Sequence, residues 1–171
     1  MLTRIRERFP DLAFSVSYTT RPRRGFERDG IDYCFVGKET FEKMVQDGEF
    51  VEWAEVHGEC YGTPRAPLER MASSGQDVLL DIDVQGGMAI KGAFPDAVTV
   101  FLLPPSLDEL RVRLASRGTE SEEQMKLRLE NARREISFKQ HYEYNIVNDK
   151  LERACEELAA LIISKRSGGV S

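Results

Sequence analysis

Short apolar runs that alternate with helical segments constrain the fold of this chain more than any other feature. Residues 78–82, 98–103 and 144–147 consist mainly of Val, Leu, Ile and aromatic residues, without a regular polar alternation. Such runs are typical of strands in a parallel sheet, because helices cover both of its faces. Helical spacing is found in the segments that separate and follow them: 84–94, 106–116, 121–138 and 151–164. The second half therefore predicts an α/β domain built on a parallel sheet flanked by helices.

The first half has a different pattern, which predicts a smaller lobe inserted into that domain. The end of a helix at 2–9 and a strand at 12–17 come first. An arginine-rich loop follows, and then short elements: strands at 33–36 and 50–56, helices at 39–46 and 64–73, and a turn at 57–62. We expect one domain over 1–171, with the inserted lobe at 18–75 and a lid at 117–128.

Composition excludes several classes of protein. The 171 residues suit one domain, and 41% hydrophobic with 31% charged residues is ordinary for a globular chain. No apolar run approaches the ~20 residues of a membrane span, and the charged N-terminus lacks the apolar segment of a signal peptide. We therefore expect a cytoplasmic protein that does not bind membranes. The three cysteines and two histidines are spaced too widely for a disulfide framework or a metal site built from protein ligands alone.

The charge distribution indicates a small anionic ligand. A net charge of −5 and a pI of about 5.2 argue against general nucleic-acid binding, which requires a basic surface. Arginines are nevertheless concentrated in two segments, one at Arg21, Arg23, Arg24 and Arg28 and the other at Arg111, Arg113, Arg117 and Arg128. Local basic clusters in an acidic protein favour a compact, highly charged anion as the ligand.

The first arginine cluster follows a strand that ends in hydroxyl residues, in the stretch SVSYTTRPRR at 15–24. Arginine donates two parallel hydrogen bonds to phosphate oxygens, and Ser and Thr hydroxyls add further donors. This pattern predicts a phosphate site, although a solvated basic loop would have the same composition.

The segments that follow contain aromatic residues, Glu52 and Thr63. Guanine carries two donors side by side, N1–H and the 2-amino group, and one buried carboxylate such as Glu52 could accept both. The Thr63 hydroxyl could reach the neighbouring acceptor O6. The alternative is that these are ordinary hairpin residues whose aromatic side chains form a core.

Two aspartates, Asp81 and Asp83, come at the end of a buried strand. The carboxyl ends of strands are where open α/β sheets bind ligands, and a buried charge needs a polar partner. Asp83 could instead cap the helix that follows it.

The second arginine cluster surrounds a short polar loop between two helices, with Arg113 and Arg117 before it and Arg128 after it. Arginines on a mobile lid could stabilise the charge that develops in phosphoryl transfer. A helix–helix loop with solvated arginines is the alternative.

Together these stretches resemble one family. The order and spacing of SVSYTTRPRR, DGIDYxF, FVEWAEVHGxxYGTP, DVLLDIDVQG, FLLPPS, RLASRGTES and VND are similar to those of the guanylate kinases, from about residue 2 to residue 163. The resemblance implies a P-loop-kinase-like α/β fold. It also implies a reaction in which ATP and GMP give ADP and GDP, with Mg²⁺ entering with ATP.

The resemblance also implies roles for individual residues. The residues expected to hold the GMP phosphate are Ser17, Arg21, Arg24, Tyr33 and Tyr61. Those expected to contact guanine are Glu52, Thr63 and Asp83. Near the ATP phosphates or the transferred phosphoryl group we expect Arg113, Arg117 and Arg128, and at the edge of the adenine site Asn148 and Asp149.

The sequence departs from the family pattern in two places. Gly25-Phe26 stands where the family usually has Pro-Gly, and no GxxxxGK[ST] stretch occurs, although the family has this phosphate loop before the helix matched at 2–9. We expect DNA upstream of Met1 to encode it. The alternatives are a module that binds GMP or partner proteins without catalysis, and a kinase for another nucleoside monophosphate.

Overall fold

The computed structural model describes residues 1–56, 58–116 and 122–168 of the chain, without the side chain of Gln124. These residues form two compact units. We call Phe9–Ala97 the central unit, and Met1–Arg8 together with Val98–Ser171 the terminal unit. The predicted division into one domain with a lobe at 18–75 and a lid at 117–128 stays a prediction.

Helices and strands alternate along most of the described chain. The helices are α1 Leu2–Arg8, α2 Lys38–Gln46, α3 Arg65–Ser73, α4 Val84–Ala93, α5 Leu107–Ala115, α6 Glu122–Ser137 and α7 Leu151–Gly168, with a short 3₁₀ helix at Phe138–His141. The strands are β1 Ala13–Phe14, β2 Tyr18–Thr19, β3 Cys34–Phe35, β4 Phe50–Val56, β5 Glu59–Pro64, β6 Val78–Leu79, β7 Val100–Leu103 and β8 Tyr144–Val147.

The central unit contains two sheets. Strands β1 and β6 form a parallel pair, and a four-stranded sheet has the order β3-β2-β5-β4. In the larger sheet β2 is parallel to β3, whereas β5 is antiparallel to both of its neighbours. Within this sheet, the antiparallel β4–β5 hairpin places residues 50–56 opposite residues 59–64.

The predicted turn at 57–62 is wrong beyond residue 58, because β5 begins at Glu59. The reversal uses Gly58, whose φ of 80° lies in the left-handed region that favours glycine. Gly62, which looks like a turn residue in the sequence, lies inside β5. A Cβ at this position would lie 2.8 Å from Cδ1 of the Phe50 ring, so the glycine marks a close approach within the hairpin.

A small aromatic core supports this hairpin. Phe41, Met44 and Phe50 are buried together, with the Phe41 ring stacked on Phe50 at a centroid distance of 4.7 Å. Helix α2 supplies two of these side chains from one face, as its apolar spacing predicts. It ends before Gly48 (φ 68°), where the Glu49 amide donates to the Met44 carbonyl. Burial of such side chains contributes roughly 1.5–3 kcal/mol each, so α2 fixes β4 firmly.

Four predicted strands are shorter than expected, and those at 33–36 and 98–103 reduce to Cys34–Phe35 and Val100–Leu103. The strand predicted at 12–17 pairs only at Ala13 and Phe14, and the one at 78–82 only at Val78 and Leu79. One further bond continues this ladder, from the Ser15 amide to the Leu79 carbonyl at 3.1 Å. Beyond it the second segment turns into α4, because Asp83 caps that helix.

The terminal unit contains the parallel pair of β7 and β8, in register from Val100–Tyr144 to Leu103–Val147. Ser106 caps α5, because its hydroxyl accepts a hydrogen bond from the Glu109 amide at 3.0 Å. Helix α7 continues to Gly168, beyond the predicted end at 164.

Helices α1 and α7 pack against each other within this unit. Arg4 and Arg8 of α1 form ion pairs with Glu152 and Glu156 of α7. Ile5 on α1 and both Ala154 and Ala159 on α7 are buried. Within the described residues, no helix is both long and apolar enough to cross a membrane. Cys34, Cys60 and Cys155 are free thiols.

Candidate functional site

A cavity of about 290 Å³ lies in the central unit, between the β4–β5 hairpin and the segment that follows β6. Five of the predicted GMP residues line it: Ser17, Tyr33, Glu52, Tyr61 and Asp83. They come from four separate stretches of the chain, and the fold of one compact unit brings them together. The cavity thus combines carboxylates with hydroxyl and phenol groups.

Glu52 is the buried carboxylate of this cavity, with only 9% of its surface exposed. Register in the hairpin places it directly opposite Thr63, whose hydroxyl donates to Oε1 of Glu52. Burial raises the pKa of the Glu52 carboxyl, and the charge of Asp83 acts in the same direction, whereas the bond from Thr63 opposes them. Thr63 is therefore a partner that favours the ionised form of Glu52.

This arrangement bears on the predicted contact between Thr63 and guanine O6. Thr63 is fully buried and its hydroxyl proton is used by Glu52. Guanine O6 is an acceptor, so the hydroxyl would have to rotate away from Glu52 to donate to it. The role of Thr63 that the structure describes is its bond to Glu52, and the O6 contact stays a prediction.

Asp83 has both of the roles that its sequence position allowed. Its Oδ1 accepts a hydrogen bond from the Gly86 amide at 2.7 Å, which caps α4, and its side chain also lines the cavity. Gly86 itself lies against Glu52, since a Cβ there would be 2.8 Å from Glu52 Oε2. The first turn of α4 is thus in direct contact with the buried carboxylate.

The hydroxyl groups of the cavity come from Ser17 and two tyrosines. Ser17 is 7% exposed, and its carbonyl accepts from the Cys34 amide at 2.9 Å, which ties it to β3. Tyr33 and Tyr61 meet edge to face at a centroid distance of 6.0 Å. Burial raises the pKa of the Tyr33 phenol, so this group stays protonated and can donate near neutral pH.

The two predicted phosphate-binding arginines do not line the cavity. The Arg21 guanidinium lies 5.5 Å from the centroid of the Tyr33 ring and pairs with Glu27. Arg24 is exposed, and its amide donates to the same Glu27 carboxylate at 2.8 Å. The structure therefore places Arg21 directly against a residue that lines the cavity, with Arg24 farther along the same loop.

Asp81 and Glu27 lie at or beside the cavity, although neither was assigned a contact with GMP. Asp81, one of the two aspartates that the sequence places at the end of a buried strand, lines the cavity two residues before Asp83. Residues two apart in an extended segment point to the same side, which agrees with the shared position of the two aspartates. Glu27 stands among exposed, charged loop residues, and no feature of the sequence separates it from them.

In the terminal unit the structure brings Arg113 together with Asn148 and Asp149. Its guanidinium donates to the carbonyl of Asn148 at 2.8 Å and to that of Asp149 at 3.4 Å, and to the Glu109 carboxylate at 3.0 Å. Arg113 thus fixes the backbone that follows β8. Arg128 is half-buried on α6. Arg117 and the rest of 117–121 in the predicted lid lie outside the described residues, and the roles of these residues stay predictions.

Within the described residues, no group of three or more His, Cys, Asp or Glu side chains is arranged to hold a metal ion. The chain's own residues there do not form a metal cage.

Comparison with known proteins decides the family. The model of the guanylate kinase family matches residues 1–165. This chain belongs to the guanylate kinase family. The predicted resemblance is confirmed, and so is the α/β fold class: the crystal structure of guanylate kinase from Anaplasma phagocytophilum has a TM-score of 0.81 and 34% sequence identity, covering 95% of this chain and 81% of that one.

Curated guanylate kinases are similar over almost the whole chain. The guanylate kinase of Syntrophotalea carbinolica is 52% identical over 157 residues, which is 92% of this chain and 75% of the relative. That of Thermus thermophilus is 50% identical over 155 residues, covering 91% of this chain and 70% of the relative. The guanylate kinase of Mycobacterium sp. is 44% identical over 169 residues, covering 98% of this chain and 85% of the relative.

Proposed function

We propose that this chain is a transferase that phosphorylates GMP to GDP with ATP, in purine nucleotide metabolism. The observation that carries the proposal is the cavity of the central unit, in which a buried Glu52 and Asp83 share one space with Ser17, Tyr33 and Tyr61. Carboxylates suit the donors of guanine, and hydroxyl and phenol donors suit a phosphate. The family supplies the reaction.

Selection of guanine follows from the buried carboxylate. Ionised Glu52 accepts from N1–H and the 2-amino group at once, and Asp83 adds a second acceptor in the same cavity. Adenine presents an acceptor at N1, so the carboxylate would face a lone pair instead of a donor. A buried polar group left without its partner costs about 1–3 kcal/mol, which is enough to discriminate against AMP.

The phosphate of GMP is bound by the hydroxyl groups and by the arginine loop. Ser17 and the two phenols donate to the phosphate from the cavity wall. Arg21, which lies against the Tyr33 ring, adds its positive charge. Arg24, which is exposed, closes on the phosphate from the same loop. Charge-assisted bonds of this kind are about twice as strong as neutral ones.

Residues for ATP come from the terminal unit. Arg113, Arg117 and Arg128 stabilise the charge of the transferred phosphoryl group, and Asn148 and Asp149 border the adenine. Arg113 supports that border directly, because it binds both of the backbone carbonyls there. Bound Mg²⁺ would enter with ATP and neutralise charge on its phosphates. The described residues do not form a cage for it.

A panel of nucleotides tests the proposal. Calorimetry should give tight binding of GMP, and weaker binding of AMP and UMP by roughly tenfold or more. A coupled assay of ADP release with ATP and Mg²⁺, on the chain preceded by the phosphate loop of the family, should show turnover with GMP only. Equal binding of all three monophosphates would overturn the guanine site. Binding of GMP without ADP release would instead identify a GMP-binding module. The cytoplasm is the compartment that we propose for this activity.

A further inference from the structure

We propose that Glu27 is a positioning residue for the phosphate end of the site: its carboxylate holds the Arg21 guanidinium against Tyr33 and Phe35 so that its remaining N–H groups face the phosphate. The inference rests on the proposed GMP site. It assigns a role to a residue that neither the sequence pattern nor the proposed reaction requires.

The ion pair between Glu27 and Arg21 is bidentate and buried. Glu27 Oε1 accepts from Nη2 of Arg21 at 2.7 Å, and Oε2 accepts from Nη1 at 3.1 Å. Only 7% of the Glu27 side chain and 14% of the Arg21 side chain are exposed. Two parallel bonds fix the plane of a guanidinium as well as its position, which a single contact cannot do.

The same carboxylate also fixes the course of the loop. Its Oε2 accepts from the Arg24 amide at 2.8 Å, and the Glu27 amide donates to the Arg24 carbonyl at 3.0 Å. The neighbouring side chain of Phe26 is 82% exposed, so apolar burial does not hold this turn in place. One carboxylate therefore ties the backbone of Arg24 and the guanidinium of Arg21 together.

The other contacts of Arg21 leave a defined part of the guanidinium available. Nη1 also donates to the Pro22 carbonyl at 2.8 Å. Its guanidinium carbon lies 5.5 Å from the Tyr33 ring centroid and 5.8 Å from that of Phe35. Nη1 thus donates both of its protons to protein acceptors, whereas Nη2 has one proton and Nε has one that are not used by Glu27 or Pro22.

An acid beside an anion site has an electrostatic disadvantage, because it repels the phosphate. Arg21 lowers the pKa of Glu27, so the acid is charged at neutral pH. The presence of Glu27 is accounted for if the orientation that it gives Arg21 strengthens phosphate binding more than its negative charge weakens it. The two effects predict opposite outcomes when Glu27 is replaced, and this makes the inference testable.

The test compares Glu27→Gln with the wild-type chain in calorimetric binding of GMP and of guanosine, which has the base and ribose but no phosphate. We expect Glu27→Gln to weaken GMP binding by roughly 10- to 100-fold, the range for a hydrogen bond to a charged group. Guanosine binding should change by less than about twofold, since Glu27 does not touch the base subsite. Glu69→Gln is the matched control: it removes the carboxylate of an exposed Arg65–Glu69 pair in the same unit and should leave GMP binding unchanged.

A double variant separates positioning from general damage to the fold. In an Arg21→Ala background, Glu27→Gln should cause a much smaller loss of GMP affinity than in the wild-type chain, because the guanidinium that it positions is absent and only its bond to the Arg24 amide is affected. Unchanged or tighter GMP binding by Glu27→Gln would overturn the inference, as would equal losses for GMP and guanosine. A wild-type chain that binds GMP no better than guanosine would instead overturn the proposed phosphate site itself.

Discussion

The two units of the chain bury different kinds of side chain. Among the described residues, the buried polar and charged side chains are all in the central unit: Ser15, Ser17, Thr19, Glu27, Glu52 and Thr63. In the terminal unit the buried side chains are apolar, as in Ile5, Leu114, Ile146 and Leu158. Burying polar groups is costly unless they are paired. The central unit buries such groups, and two of them, Ser17 and Glu52, line the cavity. In the part of the chain that the structure describes, the terminal unit buries none.

The charges of the terminal unit are arranged differently. Its ion pairs, such as Arg4 with Glu152 and Arg8 with Glu156, are on the surface, where both partners remain largely solvated. Pairs of this kind contribute little to stability. From this comparison we expect recognition of the monophosphate to depend on a few buried polar contacts of the central unit. Substitutions in each unit test this expectation.

The largest effect is expected from Glu52→Gln. The amide keeps the size of the side chain but places a donor where guanine also presents donors. We therefore expect the free energy of GMP binding to weaken by about 2–3 kcal/mol, which lowers the affinity roughly 30- to 150-fold. Calorimetry with GMP measures this. Glu55→Gln, on the same strand but exposed, is the control that should bind normally. Equal affinities of the two variants would contradict the assignment of Glu52.

A smaller effect is expected from Gly86→Ala. The added Cβ would lie 2.8 Å from Glu52 Oε2, so the carboxylate must shift, and we expect GMP binding to weaken by roughly tenfold. Gly92→Ala is in the same helix with nothing within 4 Å of its Cβ, and should leave binding intact while stabilising the fold by about 1 kcal/mol. If both alanine variants bound GMP equally well, the contact between α4 and Glu52 would have no role in recognition.

A third prediction concerns pH. Only ionised Glu52 accepts both guanine donors, and its pKa is raised, so GMP affinity should fall as pH drops through that raised pKa. Thr63→Val removes the hydroxyl that favours the ionised form, and its loss of affinity should begin at a higher pH than in wild type. Thr63→Ser keeps the hydroxyl and should follow the wild-type curve. GMP titrations at several pH values would reject the role of Thr63 if the Val and Ser curves coincided.

The ionisation of Glu52 affects folding stability in the opposite direction: stability falls, whereas GMP affinity rises, as pH increases. A carboxyl whose folded pKa is raised binds its proton more tightly in the folded state. Its contribution is therefore fully present below the unfolded pKa and is lost as pH rises through the folded one. In Glu52→Gln this side chain cannot ionise, so the loss of folding stability with rising pH is removed. We expect its unfolding midpoint, relative to wild type, to increase between acid and neutral pH, which thermal melts at both pH values would measure.

The smallest effect is expected from Arg4→Ala in the terminal unit. Its partner Glu152 is exposed, so both groups are solvated without the pair. Neither the thermal midpoint nor GMP affinity should change measurably. A clear loss of GMP affinity in this variant would contradict the expectation that surface ion pairs of the terminal unit do not affect GMP binding.

Much of the fold could be predicted because local patterns agree with it. The limits of β4 follow from its alternating pattern and those of β8 from its apolar run, while α2 ends at the predicted residue before Gly48 and begins one residue earlier than predicted. Strand β5 was missed because Gly62 and Pro64 have the composition of a turn. Its pairing depends on the Phe50 ring that covers Gly62, which is a contact between strands that no local pattern reveals.

The site could be predicted in part, for a related reason. Residues with distinctive chemistry, such as Glu52 and Tyr33, stand out by type and position and do line the cavity. The partners that control them do not stand out. The bond from Thr63 to Glu52 depends on hairpin register, and the burial of Glu27 depends on where Arg21 folds back, so both become visible only in three dimensions.

The pairing of Glu52 with Thr63 joins residues only 11 positions apart, on adjacent strands of one hairpin. Closing so short a loop costs little chain entropy compared with assembling a parallel sheet. Two of the three residues predicted to contact guanine thus lie in one contiguous segment at 50–64, and exchanging this segment between relatives would move them as a single piece while Asp83 stays in place.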